Sequence, residues 1–272
     1  MNITLHDNLA GIVDLGGITE ADIDGMSASA AAKIMVTVGN RRMRLGKVSD
    51  ISGDSADSLV LAGVNERCIN IGQSMTAGRL TVQGDVGDNF GREMKGGELM
   101  LAGNAGDKVG SGMRGGIIRI SGNAGDSVGG PVPGATKGMN EGVILIRGNA
   151  GACLGERMRR GLIVVDGNTG SHSGDRMIAG TIMICGQPGA ELGAGMRRGT
   201  LLLPRHPTRM PRHLADCGEF ELAFVPLLAD WISSLSPRHG RLTKSFSRAR
   251  RYCGDLAYGG NGEVLVATLG GR

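Results

Sequence analysis

The chain has 272 residues with a net charge of +4, 21% charged residues and only 3% aromatics. No apolar run approaches the roughly 20 residues of a membrane span and no charged-then-apolar leader opens the chain, so neither a membrane protein nor an exported one is expected. The 49 glycines would suit a disordered chain, but they fall in strict register with apolar residues, which argues against that class.

In chain order, residues 1–56 read as an N-terminal cap. Thr19 with Asp22 resembles a capping box in its shorter acidic form and leads towards a helix over Ser27–Lys33. Ile34–Val38 reads as a strand, and Gly39-Asn40 as the turn that follows it.

Residues 57–203 repeat one pattern. The strand-opening glycines are Gly78, Gly97, Gly116, Gly142, Gly161, Gly180 and Gly199, spaced by 19 residues except for one step of 26. Apolar residues then alternate with period two, as in Leu80 and Val82, Leu99 and Leu101, or Ile163 and Val165. Nineteen residues cannot hold a strand, a crossover helix and a return, and the glycines between strands suit repeated bends. Self-similarity at this period marks a solenoid. The expected fold is therefore all-β, a right-handed parallel β-helix of about seven coils with small N- and C-terminal capping segments, its rungs roughly 4.8 Å apart.

Two columns support that reading. Asp85, Asn104, Asn123, Asn149, Asn168 and Gln187 share one repeat position, where stacked side-chain amides can hydrogen-bond along the axis. Met75, Met94, Met113, Met139, Met158, Met177 and Met196 share another, and flexible thioethers fill an irregular interior.

The pattern breaks in two informative ways. Seven residues, Gly130–Thr136, are inserted before it resumes at Met139. A lone insertion in a solenoid becomes a loop on one face, and Pro131 and Pro133 stiffen it towards a preformed contact. The residues after the column methionines are Thr76, Lys95, Arg114, Asn140, Arg159, Ile178 and Arg197, with Arg160 and Arg198 alongside. This is an interrupted basic strip, read either as a solvated face or as a dock for an acidic partner surface or an anionic cofactor tail.

Residues 204–272 read as a C-terminal cap with a basic tail. They hold ten Arg and Lys against six Asp and Glu, whereas everything before them balances. Arg248, Arg250 and Arg251 point to an acidic protein neighbour, since the aromatic interleaving of a nucleic-acid binder is missing. Phe220–Leu235 is apolar enough to be buried, with Pro226 dividing it or in a first turn.

Catalytic residues do not emerge. No pair among His6, His172, His206, His213 and His239 has metal-motif spacing. Ser171-His172-Ser173 would place nucleophile and base on adjacent residues that do not face each other. Gly110-Ser-Gly112 mimics part of a dinucleotide motif, but no helix follows it. The five cysteines are scattered and contain no CxxC, as in the reduced thiols of a cytoplasmic protein.

The repeat Gly106-Asp-Lys-Val-Gly110-Ser-Gly-Met113-Arg-Gly-Gly116 resembles the glycine-rich β-helix domain of two families. One is the C-terminal domain of the glutamate synthase large subunit. The other is the C-type subunit of formylmethanofuran dehydrogenase and of its bacterial counterpart, the formyltransferase/hydrolase complex. The front, Val38–Arg41 through Ile51–Gly53, the insertion with Pro133-Gly134, and the tail Arg251–Asp255 with Gly260–Glu263 favour the second. That resemblance implies a non-catalytic scaffold subunit that helps hold together a formyltransferase subunit and amidohydrolase-like catalytic subunits. In such a complex a formyl group passes from tetrahydromethanopterin to methylofuran and leaves as formate. Archaeal relatives use tungsten or molybdenum and iron–sulfur clusters, for which this chain offers no ligand set, so any metal is expected on partners. Arginine outnumbers lysine 24 to 6, unlike many hyperthermophile proteins, which favours the bacterial type. A polysaccharide lyase would need clustered charges in a groove, and a glutamate-synthase-like spacer would be fused to catalytic domains.

Overall fold

Alternating apolar residues build one long sheet from short strands. The computed structural model describes residues 1–20, 27–53 and 58–268. Its first strands are β1 (Asn2–Leu5), β2 (Val13–Asp14), β3 (Met35–Val38), β4 (Arg41–Arg44) and β5 (Ser49–Ser52). Next come β6 (Ser58–Ala62), β7 (Cys68–Ile69), β8 (Arg79–Gln83), β9 (Glu98–Ala102) and β10 (Arg114–Ile120). Then follow β11 (Glu141–Ile146), β12 (Leu162–Val165), β13 (Thr181–Ile184), β14 (Thr200–Leu203), β15 (Ala215–Glu221), β16 (Arg248–Gly254) and β17 (Gly262–Ala267). The helices are α1 (Gly17–Glu20), α2 (Ala28–Ala31), α3 (Val225–Leu235) and α4 (Pro237–Thr243).

Strands β8 to β14 lie in sequence order and pair in parallel. The register puts like on like: Leu80 opposite Leu99, then Ile118, Ile144, Ile163, Ile182 and Leu201. All seven are fully buried. A second parallel ladder of single bridges joins Val86, Ala105, Ala124, Ala150 and Thr169. The methionine column is buried throughout. Its packing explains the opening glycines: a Cβ on Gly142 would sit 2.7 Å from the Met113 methyl carbon, and one on Gly161 2.8 Å from that of Met139. Both glycines have φ above 100°, which other residues rarely adopt.

The amide column differs from expectation. Each side-chain oxygen accepts from the main-chain N–H of the next rung, as in Asn123 N to Asn104 Oδ1 (2.8 Å) and Asn149 N to Asn123 Oδ1 (2.8 Å). Amide-to-amide contact is confined to the start of the column, and the column faces solvent rather than the interior. A parallel set, unread in the sequence, runs from Asp88 through Asp107 and Asp126 to Ala152 N. The main-chain N–H of Asn104 and then its side-chain amide hold the Asp85 carboxyl below the ordinary carboxylate range.

At the front, β1 adds to β6 in parallel and to β5 antiparallel. A small sheet in the order β4-β3-β2-β7 lies beside it. β3 and β4 form a hairpin whose paired Val38 and Arg41 leave Gly39-Asn40 as the two-residue turn. Ser27 caps α2 by accepting from Ala30 N (3.2 Å), but that helix is one turn long. The expected Thr19–Asp22 capping box rests on Asp22, which lies outside the described residues.

At the far end, β17 adds to β14 in parallel, and β16 and β15 continue the sheet antiparallel. Helices α3 and α4 do not stack on the end of the sheet. They lie along its outer face, where Val225, Ile232 and Phe246 pack on Leu145, Leu162, Val164, Met183 and Leu202. Pro226 sits in the first turn of α3. Phe220, Phe224, Leu227 and Trp231 are exposed, so only the inner side of that apolar stretch is buried.

Candidate partner-docking face

The rung-to-rung ladder fixes the basic strip. Each residue after a column methionine donates its main-chain N–H to the methionine carbonyl one rung earlier: Lys95 to Met75, Arg114 to Met94, Asn140 to Met113, Arg159 to Met139 and Arg197 to Met177, all at 2.7–2.8 Å. Lys95, Arg114, Arg160, Arg197 and Arg198 are exposed and Arg159 is half-buried. None of these six cations forms an ion pair among the described residues. Like charges at rung spacing repel, so an external anion would stabilise the strip.

The tail arginines behave differently. Arg250 pairs with Asp216 (2.5 Å), Arg251 with Glu263 (2.9 Å) and Arg248 with Glu219 (3.1 Å). Arg250's hydrogen bonds lower the Asp216 carboxyl below its ordinary range. These arginines lie in β16, inside the sheet, and their charge is neutralised within the chain. The structure therefore does not support their reading as a free basic tail.

The insertion is a self-contained loop. In the regular rung Met113 N donates to Gly110 O (3.1 Å), and across the insertion Met139 N donates to Gly129 O (2.8 Å). Seven extra residues thus leave the chain and return without shifting the register. Ser111 Oγ donates to Gly130 O (3.0 Å), and Gly138 N to Arg157 O (2.9 Å), which anchors both ends. Pro131 is half-buried and Pro133 exposed, both on this loop.

Just past the loop, Lys137 shares a cleft of about 510 Å³ with Arg157, Arg176, Ile178, Arg197 and Tyr258. Of the cations named from sequence for docking, only Arg197 belongs to it. Arg157 and Arg176 escape that reading, although they occupy one repeat position.

Ser173 is buried and bonds Thr169 Oγ1 (2.9 Å), while His172 is exposed with φ of 62°, so the two form no nucleophile–base pair. Asp166, Cys185 and His239 bring one donor atom each to within 4.8 Å of one another, a grouping of metal-binding type that spacing alone does not reveal. Here Asp166 already accepts from His239 Nε2 (2.6 Å) and Arg238 (2.7 Å), and His239 Nδ1 meets Ser236 Oγ (2.8 Å). Burial, reinforced by Asp166, pushes the Cys185 thiol up to about 12. A neutral thiol and a carboxylate occupied by two donors suit a latch between α4 and β12 better than an ion site. No described helix is long and apolar enough to cross a membrane.

Residues 55–215 match the GXGXG motif family. Over 85 residues the chain is 40% identical to the C-type subunit of the formyltransferase/hydrolase complex Fhc of Methylorubrum extorquens, a match covering 31% of this chain and 32% of that protein. The fold is also similar to a chain in the crystal structure of the formyltransferase/hydrolase complex FhcABCD of Methylorubrum extorquens with methylofuran. The TM-score is 0.88 and the identity 37%, over 98% of this chain and 100% of that one.

Proposed function

This chain belongs to the GXGXG motif family, in the line of the C-type subunits of formyltransferase/hydrolase complexes, and from that premise we propose that it is a non-catalytic scaffold subunit of such a complex. The observation that carries the reading is 37% identity over a match that covers 98% of the chain. The interior supports it, because the inner columns are filled by apolar side chains and leave no room for chemistry. In this reading residues 57–203 are a right-handed parallel β-helix of about seven coils, and 1–56 and 204–272 are its terminal caps, the second of which also covers the outer face with α3 and α4.

The complex works in the cytoplasm, moving a formyl group from tetrahydromethanopterin to methylofuran and releasing formate. The formyltransferase and amidohydrolase-like subunits carry the reaction and any metal. The strip of Lys95, Arg114, Arg159, Arg160, Arg197 and Arg198, with the Pro131–Pro133 loop, docks the acidic surface of a partner subunit. Its unpaired exposed cations favour this over the paired arginines of β16. Mild purification from the native source tests the reading. Co-elution with formyltransferase and amidohydrolase-like subunits is expected, and a stable solitary chain would overturn it.

A further inference from the structure

We infer that the cleft between Lys137, Arg157, Arg176, Arg197 and Tyr258 is a binding site for a small organic polyanion, with two or more oxyanionic groups on a flat or apolar carbon part. The inference concerns this chain alone and does not rest on its place in a complex.

Charge comes first. Among the described residues, four cations line the cleft and no carboxylate does. Glu156 and Asp175 approach Arg157 and Arg176 only loosely, at 3.6 and 3.8 Å, and Lys137 and Arg197 have no anionic partner among the described residues. Guanidinium forks on successive rungs suit several oxyanions presented together.

Backbone conformation sets where two of these cations stand. Arg157 and Arg176 sit at φ of 51° and 49°, in the left-handed region. The same repeat position has positive φ at Ser74 (57°), Glu93 (54°), Gly112 (66°) and Gly195 (65°) as well, so the corner imposes that conformation on whichever residue occupies it. Arg157 and Arg176, one rung apart at that corner, thus present their side chains to the cleft from equivalent positions.

The walls are also built from distant segments. Asp255 is 4% exposed. Its Oδ2 accepts from Gly195 N (2.9 Å) and its Oδ1 from Ala257 N (2.8 Å). Asn261 N donates to Arg197 O (2.8 Å), so the loop carrying Tyr258 is pinned beside the cations. Tyr258 is 75% exposed, and Ile178 interrupts the basic strip at this rung. A ring and an aliphatic side chain among cations fit a ligand with a carbon body better than an inorganic ion. The volume lies in the small-molecule range of roughly 300–1,000 Å³.

Isothermal titration of the full-length chain at low salt, with four probes, tests this. Benzene-1,3,5-tricarboxylate and ADP carry a ring, whereas citrate and tripolyphosphate supply like charges without one. At least one ring-bearing probe should bind about tenfold more tightly than its ringless counterpart, and which one does so distinguishes a carboxylate from a phosphate ligand. Tyr258→Ala should abolish that preference, and Arg176→Gln with Arg197→Gln should weaken binding about tenfold or more, with an unchanged melting temperature. Absence of binding by both ring-bearing probes, equal binding with and without the ring, or full affinity in the double-arginine variant would each overturn the inference.

Discussion

Strands β8–β10 and β11–β14 have the same inner side and opposite outer sides. Inward, Leu80, Leu99 and Ile118 continue into Ile144, Ile163, Ile182 and Leu201 without change of character. Outward, Thr81, Met100 and Arg119 are half-exposed, whereas Leu145, Val164, Met183 and Leu202 are buried beneath α3, α4 and their flanks. The inner columns make the stack, and the outer columns decide which part of it receives a second layer. At the boundary, Arg119 donates to Leu235 O (3.2 Å), satisfying a carbonyl at the end of α3, and also holds Glu98 (2.9 Å).

Substitutions can break that contrast, and the largest effect is expected outside. Val164→Asp would bury an unpaired charge under the helices and cost about 4 kcal/mol, whereas Thr81→Asp, its counterpart in the bare half, should stay within about 0.5 kcal/mol. Denaturant titration followed by circular dichroism and by Trp231, the single tryptophan and part of α3, measures both; equal costs would dissolve the distinction. On the inner side, Ile163→Ala should cost about 3 kcal/mol through lost packing and a residual cavity. Unlike the outer change, it should lower both signals together.

Asp166→Ala removes the latch and leaves His239 and Arg238 without their acceptor, at about 2 kcal/mol. It should also speed labelling of Cys185, whose thiol stands near 12 through burial and Asp166, while exposed Cys217 labels first in either protein. The sign follows from linkage. A thiol raised from 9.0 contributes stability that is whole below pH 9 and is lost as pH climbs towards 12, so Cys185→Ala should flatten alkaline unfolding. Asn123→Ala loses the acceptor for Asn149 N on an exposed corner and should cost about 1 kcal/mol by calorimetry. Arg159→Glu with Arg197→Glu should move stability by less than about 0.5 kcal/mol. Its effect should be a steeply salt-dependent loss of co-elution with partner subunits, and unchanged assembly at all salt concentrations would remove the docking role of the strip.

Much of the fold is legible at fixed spacing. Period two under period 19 marks the strands, the methionine column announces its burial, and Gly39-Asn40 marks a hairpin turn. The outer columns carry a readable signal as well, since Leu145, Val164, Met183 and Leu202 recur at the same interval, but it means little until a covering layer is known. Charge counting misses the pairing of the β16 arginines because it is blind to topology: Asp216 is 34 residues from Arg250 along the chain and meets it from the neighbouring strand. The cleft is invisible for the same reason, since Lys137, Arg176 and Tyr258 meet only in the folded chain.

By itself, the sequence determined whatever repeats: which residues face inward, where glycine is obligatory, and that successive rungs pair in parallel. Identical neighbours one rung apart make those choices local, and each copy confirms the last. Only the tertiary structure decided what happens once: the side on which α3 and α4 lie, the internal pairing of the tail arginines, the closure of the insertion at Gly129 and Met139, and the cationic cleft beside Tyr258. Those features depend on contacts between segments that share no period, so no spacing encodes them.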